Sequence, residues 1–209
     1  MKKIMFNDKF QLTQAVLEGR KTQTRRIAGI QPPYKKNKIA FPVDFILEEE
    51  PEKHPLFGAY CWVNGDNEEE FTQWIKPRYK FGEIVAVAQS YADLDMEPFS
   101  FCEAGWRNKM FVSADLMPYK IQITNIRIEH LQDISDEDCL AEGISPYYYG
   151  NEEEKKYYEI PPNGYSFDGI DFHCPSPREA YAALIDNVSG KGTWESNPWV
   201  WVYDFELIK

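Results

Sequence analysis

The end of the chain constrains the fold most. Trp199, Trp201, Tyr203, Phe205 and Leu207 alternate with Val200, Val202, Asp204 and Glu206. A period of two sustained over nine residues is a β-strand with an aromatic core face. Two more strands follow from the residue pattern. Residues 83–92 form one, entered through a turn from Pro77 to Gly82, with Ile84, Val85 and Val87 buried. Residues 120–131 form another with a change of phase, because Ile121 and Ile123 share one parity and Ile126 and Ile128 the other. A bulge near Thr124–Asn125 keeps both pairs inside and bends the sheet.

Three helix signals lie between and before these strands. Asp8 and Gln11 make a capping-box pattern ahead of Leu12 and Val16, and Gly19 offers a left-handed exit. Ser135 caps a short helix whose first turn is acidic (Asp136, Glu137, Asp138) and which stops at Gly143. Ser176-Pro177-Arg178-Glu179 opens a third, with Tyr181, Leu184, Ile185 and Val188 as its buried stripe and Gly190 as its end. Few helices among bent, antiparallel strands predict an α+β fold, a small β-barrel with peripheral helices rather than a doubly wound sheet. One domain is expected over 1–209, with two excursions. Residues 44–70 carry two Glu-Glu-Glu runs and read as an irregular insertion or edge hairpin. Residues 145–174 are rich in Tyr and lack a period.

Several classes are excluded. No apolar run reaches the roughly 18 residues of a membrane span, and the basic start is interrupted before any signal-peptide stretch forms, so a cytoplasmic protein without a membrane partner is expected. Cys61, Cys102, Cys139 and Cys174 form no CxxC pair, and His54, His130 and His173 have no ligand spacing, so no metal site or disulfide framework is indicated. Phosphate-loop, dinucleotide and nucleophile-elbow motifs are missing from the sequence, and no cofactor is implied.

The net charge of −11 argues against a duplex binder, but its distribution is uneven. Residues 1–40 hold ten Lys/Arg against Asp8 and Glu18, a local +8, and the remainder holds 13 basic and 32 acidic residues, −19. A basic segment on an acidic body attracts one phosphate or nucleotide while repelling long duplexes.

Within that segment, Gly19-Arg20-Lys21-Thr22-Gln23-Thr24-Arg25-Arg26 is the most informative stretch. Extended throughout, it puts Arg20, Thr22, Thr24 and Arg26 on one side and Lys21, Gln23 and Arg25 on the other. A tight turn after Gly19 instead brings Lys21 and Thr24 together. Crowded cations depress one another's pKa, which suits Lys21 to act as a base. The commoner meaning of such a run is a solvated basic loop paired with the acidic body.

This stretch resembles the GxKxxExR signature of the ASCH domain, a branch of the PUA-like superfamily of RNA-associated barrels. Gly19, Lys21 and Arg26 match, and Thr24 stands where many members have Glu. GRKTxT is what the small N4-acetylcytidine amidohydrolases of this superfamily carry. FGEIVAV (81–87), IRIEHLQDISDEDCLAEGI (126–144) and NPWVWVYDFE (197–206) resemble ASCH proteins of phage and prophage genomes. The resemblance implies a catalytic Lys21, Thr24 and Glu142, with Lys21 activating the Thr24 hydroxyl or a water. Glu142 would carry a proton to the leaving amine, and an Arg or backbone N–H would hold the oxyanion. Glu142 is independently unusual, because the C-terminal end of a helix disfavours a carboxylate by roughly 0.3–1 kcal/mol.

For substrate binding the candidates are Arg20, Arg25 and Arg26, with Tyr91, Trp106 or Trp74 as stacking surfaces and Arg107 or Lys109 as phosphate contacts. The expected partner is RNA or a modified nucleoside, held in a cleft between the Lys21–Arg26 loop and the Glu142 helix. Deacylation of an N4-acetylcytidine-like nucleoside is the alternative. A phage accessory module that binds another protein without any cleft is a third reading.

Overall fold

The computed structural model describes residues 1–29, 31, 38–39, 60–64, 67–95, 104–147, 164–168 and 174–208, with backbone alone at 38–39, 60–64 and 67–74. The architecture is α+β. Strands β1 (Lys3–Ile4), β2 (Gln23–Ile27), β6 (Ile84–Val87), β7 (Lys120–His130) and β10 (Trp199–Ile208) make one five-stranded sheet in the order β1-β6-β7-β10-β2. Strands β3 (Lys38–Ile39), β4 (Tyr60–Asn64) and β5 (Asn67–Ile75) make a second, antiparallel sheet, and β8 (Ser145–Tyr147) pairs with β9 (Gly164–Ser166). The first excursion therefore includes a hairpin at 60–75, and the second is pinned by a two-stranded ribbon. Residues 40–59 and 148–163 lie outside the described residues. No described helix is long and apolar enough to cross a membrane. Among the described strands the sheet does not close into a barrel, and β1 pairs with β6 in parallel, not antiparallel as expected.

The terminal strand lies inside the sheet, between β7 and the edge strand β2. β10 pairs antiparallel with β7 along its whole length and with β2 over residues 200–204. Both of its faces are covered, so Val200, Trp201, Val202, Tyr203 and Phe205 are all buried rather than the aromatic parity alone. Phe6 packs on Phe205 and Tyr79 meets Tyr203 edge to face on one side. On the other side Tyr181 approaches Arg25, which lies opposite Val202. The phase change in β7 is a bulge at the expected place. Asn125 faces Asp204 and Ile123 faces Phe205, so Thr124 is the extra residue. Ile121 and Ile123 are fully buried, and Ile126 and Ile128 pack against the same core. Ile84 departs from expectation at 45% exposed, because the burial in β6 falls on Val85, Ala86 and Val87.

The helices are α1 (Leu12–Leu17), α2 (Asp136–Ala141), α3 (Pro177–Ser189) and α4 (Thr193–Ser196). Ser135 and Ser176 cap α2 and α3 as expected, accepting from the N–H groups of Asp138 (3.1 Å) and Glu179 (3.2 Å). The Asp8–Gln11 box does not form. Asp8 is occupied by Lys109 and Thr13, Asn7 accepts from the Lys9 N–H, and Gln11 takes a left-handed conformation (φ 49°).

Deleting Thr124 removes the bulge and forces one isoleucine pair onto the wrong face. The expected outcome is loss of cooperative thermal unfolding, read by circular dichroism, whereas Thr124→Ala keeps a sharp transition.

Candidate functional site

Turn chemistry at two places brings the cationic segment to the end of α2. Gly19 takes φ +76°, and the chain then folds back so that the Lys21 N–H donates to the Ala15 carbonyl (3.0 Å). Thr22 is clamped on both sides: its N–H donates to Ala141 O (2.9 Å) and its carbonyl accepts from Phe205 N–H (2.8 Å). The clamp sets Lys21 beside Glu142, the C-cap residue of α2. Gly143 follows at φ +104°, which a β-carbon resists. The neighbours of that position, Leu12 and Lys21, stand at ordinary contact distance, so conformation and not crowding calls for the glycine.

The outcome is a buried ion pair. Lys21 Nζ lies 2.5 Å from Glu142 Oε2 and donates to the Glu142 carbonyl at 2.7 Å, and both side chains are 5% exposed or less. Burial pulls the Lys21 amine below its ordinary pKa; Glu142 opposes this, and Arg26 and Arg25 reinforce it. Crowded cations therefore contribute as expected, but loss of water is the larger cause. The unfavourable dipole at Glu142 is met by Lys21 and by Arg25, whose Nη1 is 3.4 Å from Oε1.

Thr24 starts the exposed-to-cavity parity of β2. It lies opposite Tyr203, as Arg26 lies opposite Trp201. Thr24 is buried, and among the described residues no hydrogen bond engages its hydroxyl. Gln89 Oε1 is the one fully enclosed side-chain N or O atom without a partner among the described residues, so the Thr24 hydroxyl is reached from open space. That space is a cavity of about 550 Å³, whose walls include Lys21, Thr24, Arg26, Glu142, Phe6 and Tyr79. Lys21, Thr24 and Glu142 thus share one hollow. The cavity lies between the two edges of the main sheet. Lys3 of β1 lines it, as do Thr24 and Arg26 of β2, and the Arg26 guanidinium donates across to Met5 O, just beyond β1 (2.6 Å).

The opposite parity of β2 does different work. Arg25, with a side chain of 0% exposure, donates to Glu129 and Asp138 at 2.7 Å each and to Gln23 Oε1. Arg127 joins the same carboxylates and Asp204, and Gln23 Nε2 bridges Asp138 and Asp204. Burial works against the Arg25 charge, but Glu142 and Glu129 outweigh it and hold the guanidinium more firmly protonated than usual. The basic stretch is therefore split. Lys21, Arg25 and Arg26 all border the cavity, but Arg25 is the one that pairs with the acidic body through Glu129 and Asp138.

Five candidates stand elsewhere. Arg20 is exposed and pairs with Glu18 and Asp168. Tyr91 packs beside Gly105 and the Ala86–Val112–Met117 cluster, and Trp106 and the exposed Arg107 do not line the cavity. Lys109 is a latch, donating to Phe6 O (2.6 Å), Asp8 (2.7 Å) and Thr13 (3.0 Å), which leaves no donor for a phosphate. For Trp74 only the backbone is described. The aromatic walls are instead Phe6, Tyr79, Tyr181, Trp201 and Tyr203. Trp201 and Tyr203 were legible as strand aromatics, but Phe6, Arg78 and Tyr79 carry no pattern that marks them. Among the described residues no group of three His, Cys, Asp or Glu is placed to hold a metal ion.

Comparison with protein-family models, with curated proteins and with solved structures finds no match for this chain.

Lys21→Met strands the Glu142 carboxylate and is expected to cost about 3 kcal/mol in urea unfolding. Lys21→Met combined with Glu142→Leu removes both charges and recovers most of that loss. Additive losses from the two substitutions contradict a coupled pair.

Proposed function

We propose that the protein is an ASCH-type, PUA-like domain that binds a cytidine-like nucleoside and hydrolyses an acyl group from its exocyclic amine. In this reading the five-stranded sheet is the bent barrel expected from the sequence, and its open seam is the ligand cleft. The observation that carries the proposal is the meeting of the Lys21 amine, the Glu142 carboxylate and the Thr24 hydroxyl in one cavity.

The chemistry follows from the proton that Lys21 and Glu142 share. Transfer of the ammonium proton to the adjoining carboxylate, which burial of the amine favours, leaves a neutral amine and a carboxylic acid side by side. The amine takes the proton of the Thr24 hydroxyl, or of a water, as its oxygen attacks the amide carbon. The ammonium so formed lies beside the developing oxyanion. The carbon–nitrogen bond then breaks, and Glu142 supplies the proton that the departing exocyclic amine needs. Water completes the reaction, giving the deacylated nucleoside and a carboxylic acid. If Thr24 is the attacking group, its acyl ester is hydrolysed by a water that Lys21 activates in turn. Phe6 and Tyr79 provide faces on which a pyrimidine can stack.

Binding of RNA or a modified nucleoside without turnover is the second reading, favoured by the excess of cations around the cavity: Lys3, Lys21, Arg25, Arg26, Lys76 and Arg78 against Glu142. A protein-interaction role without a cleft draws no support from a molecule with this cavity.

Incubation with N4-acetylcytidine is expected to release cytidine and acetate in equal amounts. Lys21→Arg, Thr24→Val and Glu142→Gln should each lower kcat about 100-fold or more. Because the pair must keep one proton between amine and carboxylate, the rate should fall as pH rises through the titration of Lys21, below the ordinary lysine range, the direction in which burial moves it. Absence of turnover together with a nucleoside-induced rise in Tm selects the binding reading, and absence of both overturns the site.

A further inference from the structure

The six cations around the cavity are not equivalent: Lys76 is engaged by a partner of its own, and sorting the other five leaves two. Lys21 and Arg25 are committed to carboxylates. Lys3 donates to three carbonyls, those of Lys109 (2.9 Å), Met110 (2.6 Å) and Val112 (2.6 Å), which exhausts its donors. Arg26 uses one nitrogen on Met5 O, and among the described residues no carboxylate pairs with it. The exposed Arg78 likewise has no described carboxylate partner; its guanidinium lies 5.6 Å from the centre of the Tyr79 ring. A guanidinium has five donors in a planar fork, so most of the donor capacity at this end of the cavity is unspent.

These two arginines are brought together by the fold. The Arg78 N–H donates to the Tyr203 hydroxyl (2.9 Å), and Tyr203 is the cross-strand neighbour of Thr24. Arg26 and Lys21 share the Phe6 ring, at 5.6 and 5.8 Å from its centre. An anion held by Arg26 and Arg78 is therefore close to the reacting pair, on the same side of the sheet. The two guanidiniums repel each other, with Glu142 offsetting this in part at Arg26, and an anion relieves that repulsion. Planar, bidentate recognition of this kind suits a phosphate monoester.

We infer that Arg26 and Arg78 form a phosphate subsite, and that the ligand of this cleft is a nucleotide rather than a bare nucleoside. The inference rests on the nucleoside reading above and adds its charged group. The shared chemistry is a pyrimidine nucleoside carrying a phosphate ester, which a free mononucleotide and the 5′-terminal nucleotide of an RNA both supply.

Calorimetric titration of the full chain with cytidine, cytidine 5′-monophosphate and inorganic phosphate tests it. The monophosphate is expected to bind about tenfold tighter than cytidine at low salt, and the advantage should shrink as ionic strength rises. Arg78→Ala, at an exposed position, should remove most of that advantage, weakening the monophosphate far more than cytidine. Equal affinity for cytidine and its monophosphate, or an advantage that survives Arg78→Ala, overturns the subsite and leaves the nucleoside reading standing. Arg78-dependent binding of inorganic phosphate with no binding of either pyrimidine compound supports the subsite and overturns the nucleoside reading. A 5′-phosphorylated cytidine-initiated oligoribonucleotide that binds tighter than the mononucleotide assigns the phosphate to an RNA end. Weaker binding assigns it to a free nucleotide.

Discussion

The site depends on one contact, the Lys21 ammonium against the Glu142 carboxylate, both nearly closed to solvent. Two residues 121 positions apart meet only because three separate pieces of backbone agree. Gly19 turns the chain out of α1, Thr22 is clamped between the end of α2 and β10, and Gly143 ends α2 in a conformation that lets the Glu142 carbonyl face Lys21. Burial of such a pair is costly unless every polar atom is matched. Lys21 is matched by the carboxylate and carbonyl of Glu142, and Glu142 is also approached by Arg25. The arrangement keeps an amine in a region where burial favours its neutral form, beside a carboxylate that supports the charged one.

The alternating parity of β2 separates structure from function. Gln23 and Arg25 enter a network with Arg127, Glu129, Asp138 and Asp204 that ties β2, β7, β10 and α2 together. Thr24 and Arg26 turn to the cavity at the sheet's open seam. The same five residues therefore hold the edge strand in place and furnish the wall of the cleft. This is also why the net charge of the molecule says little about the cavity: Lys21 and Arg25 are paired with carboxylates, and Arg26 and Arg78 are wall guanidiniums without a described carboxylate partner.

The parts of the fold that rest on local chemistry were legible beforehand. The alternation from Trp199, the phase change at Thr124, and the serine caps at 135 and 176 each have a short-range cause and appear where expected. The parts that failed depend on long-range competition. Asp8 is a reasonable cap by sequence, but Lys109, about a hundred residues away, claims its carboxylate. That same commitment removes Lys109 from the candidate phosphate contacts. Ile84 is apolar yet exposed, because only tertiary packing decides which residues of a short strand are covered. Of the site, Lys21, Thr24, Arg26 and Glu142 were found through a motif and a helix-end argument. Phe6, Arg78 and Tyr79 were not, since their contribution comes from a turn and an edge strand that the topology brings to the cleft.

The central claim, that burial holds Lys21 below the ordinary lysine range against the support of Glu142, is tested most directly by nuclear magnetic resonance of lysine-labelled protein. The Lys21 signal, assigned by its disappearance in Lys21→Arg, should titrate at lower pH than the exposed lysines. It should move lower still in Glu142→Gln, where the carboxylate that supports the ammonium is gone. A Lys21 signal that titrates together with the surface lysines, and does not respond to Glu142→Gln, contradicts the account.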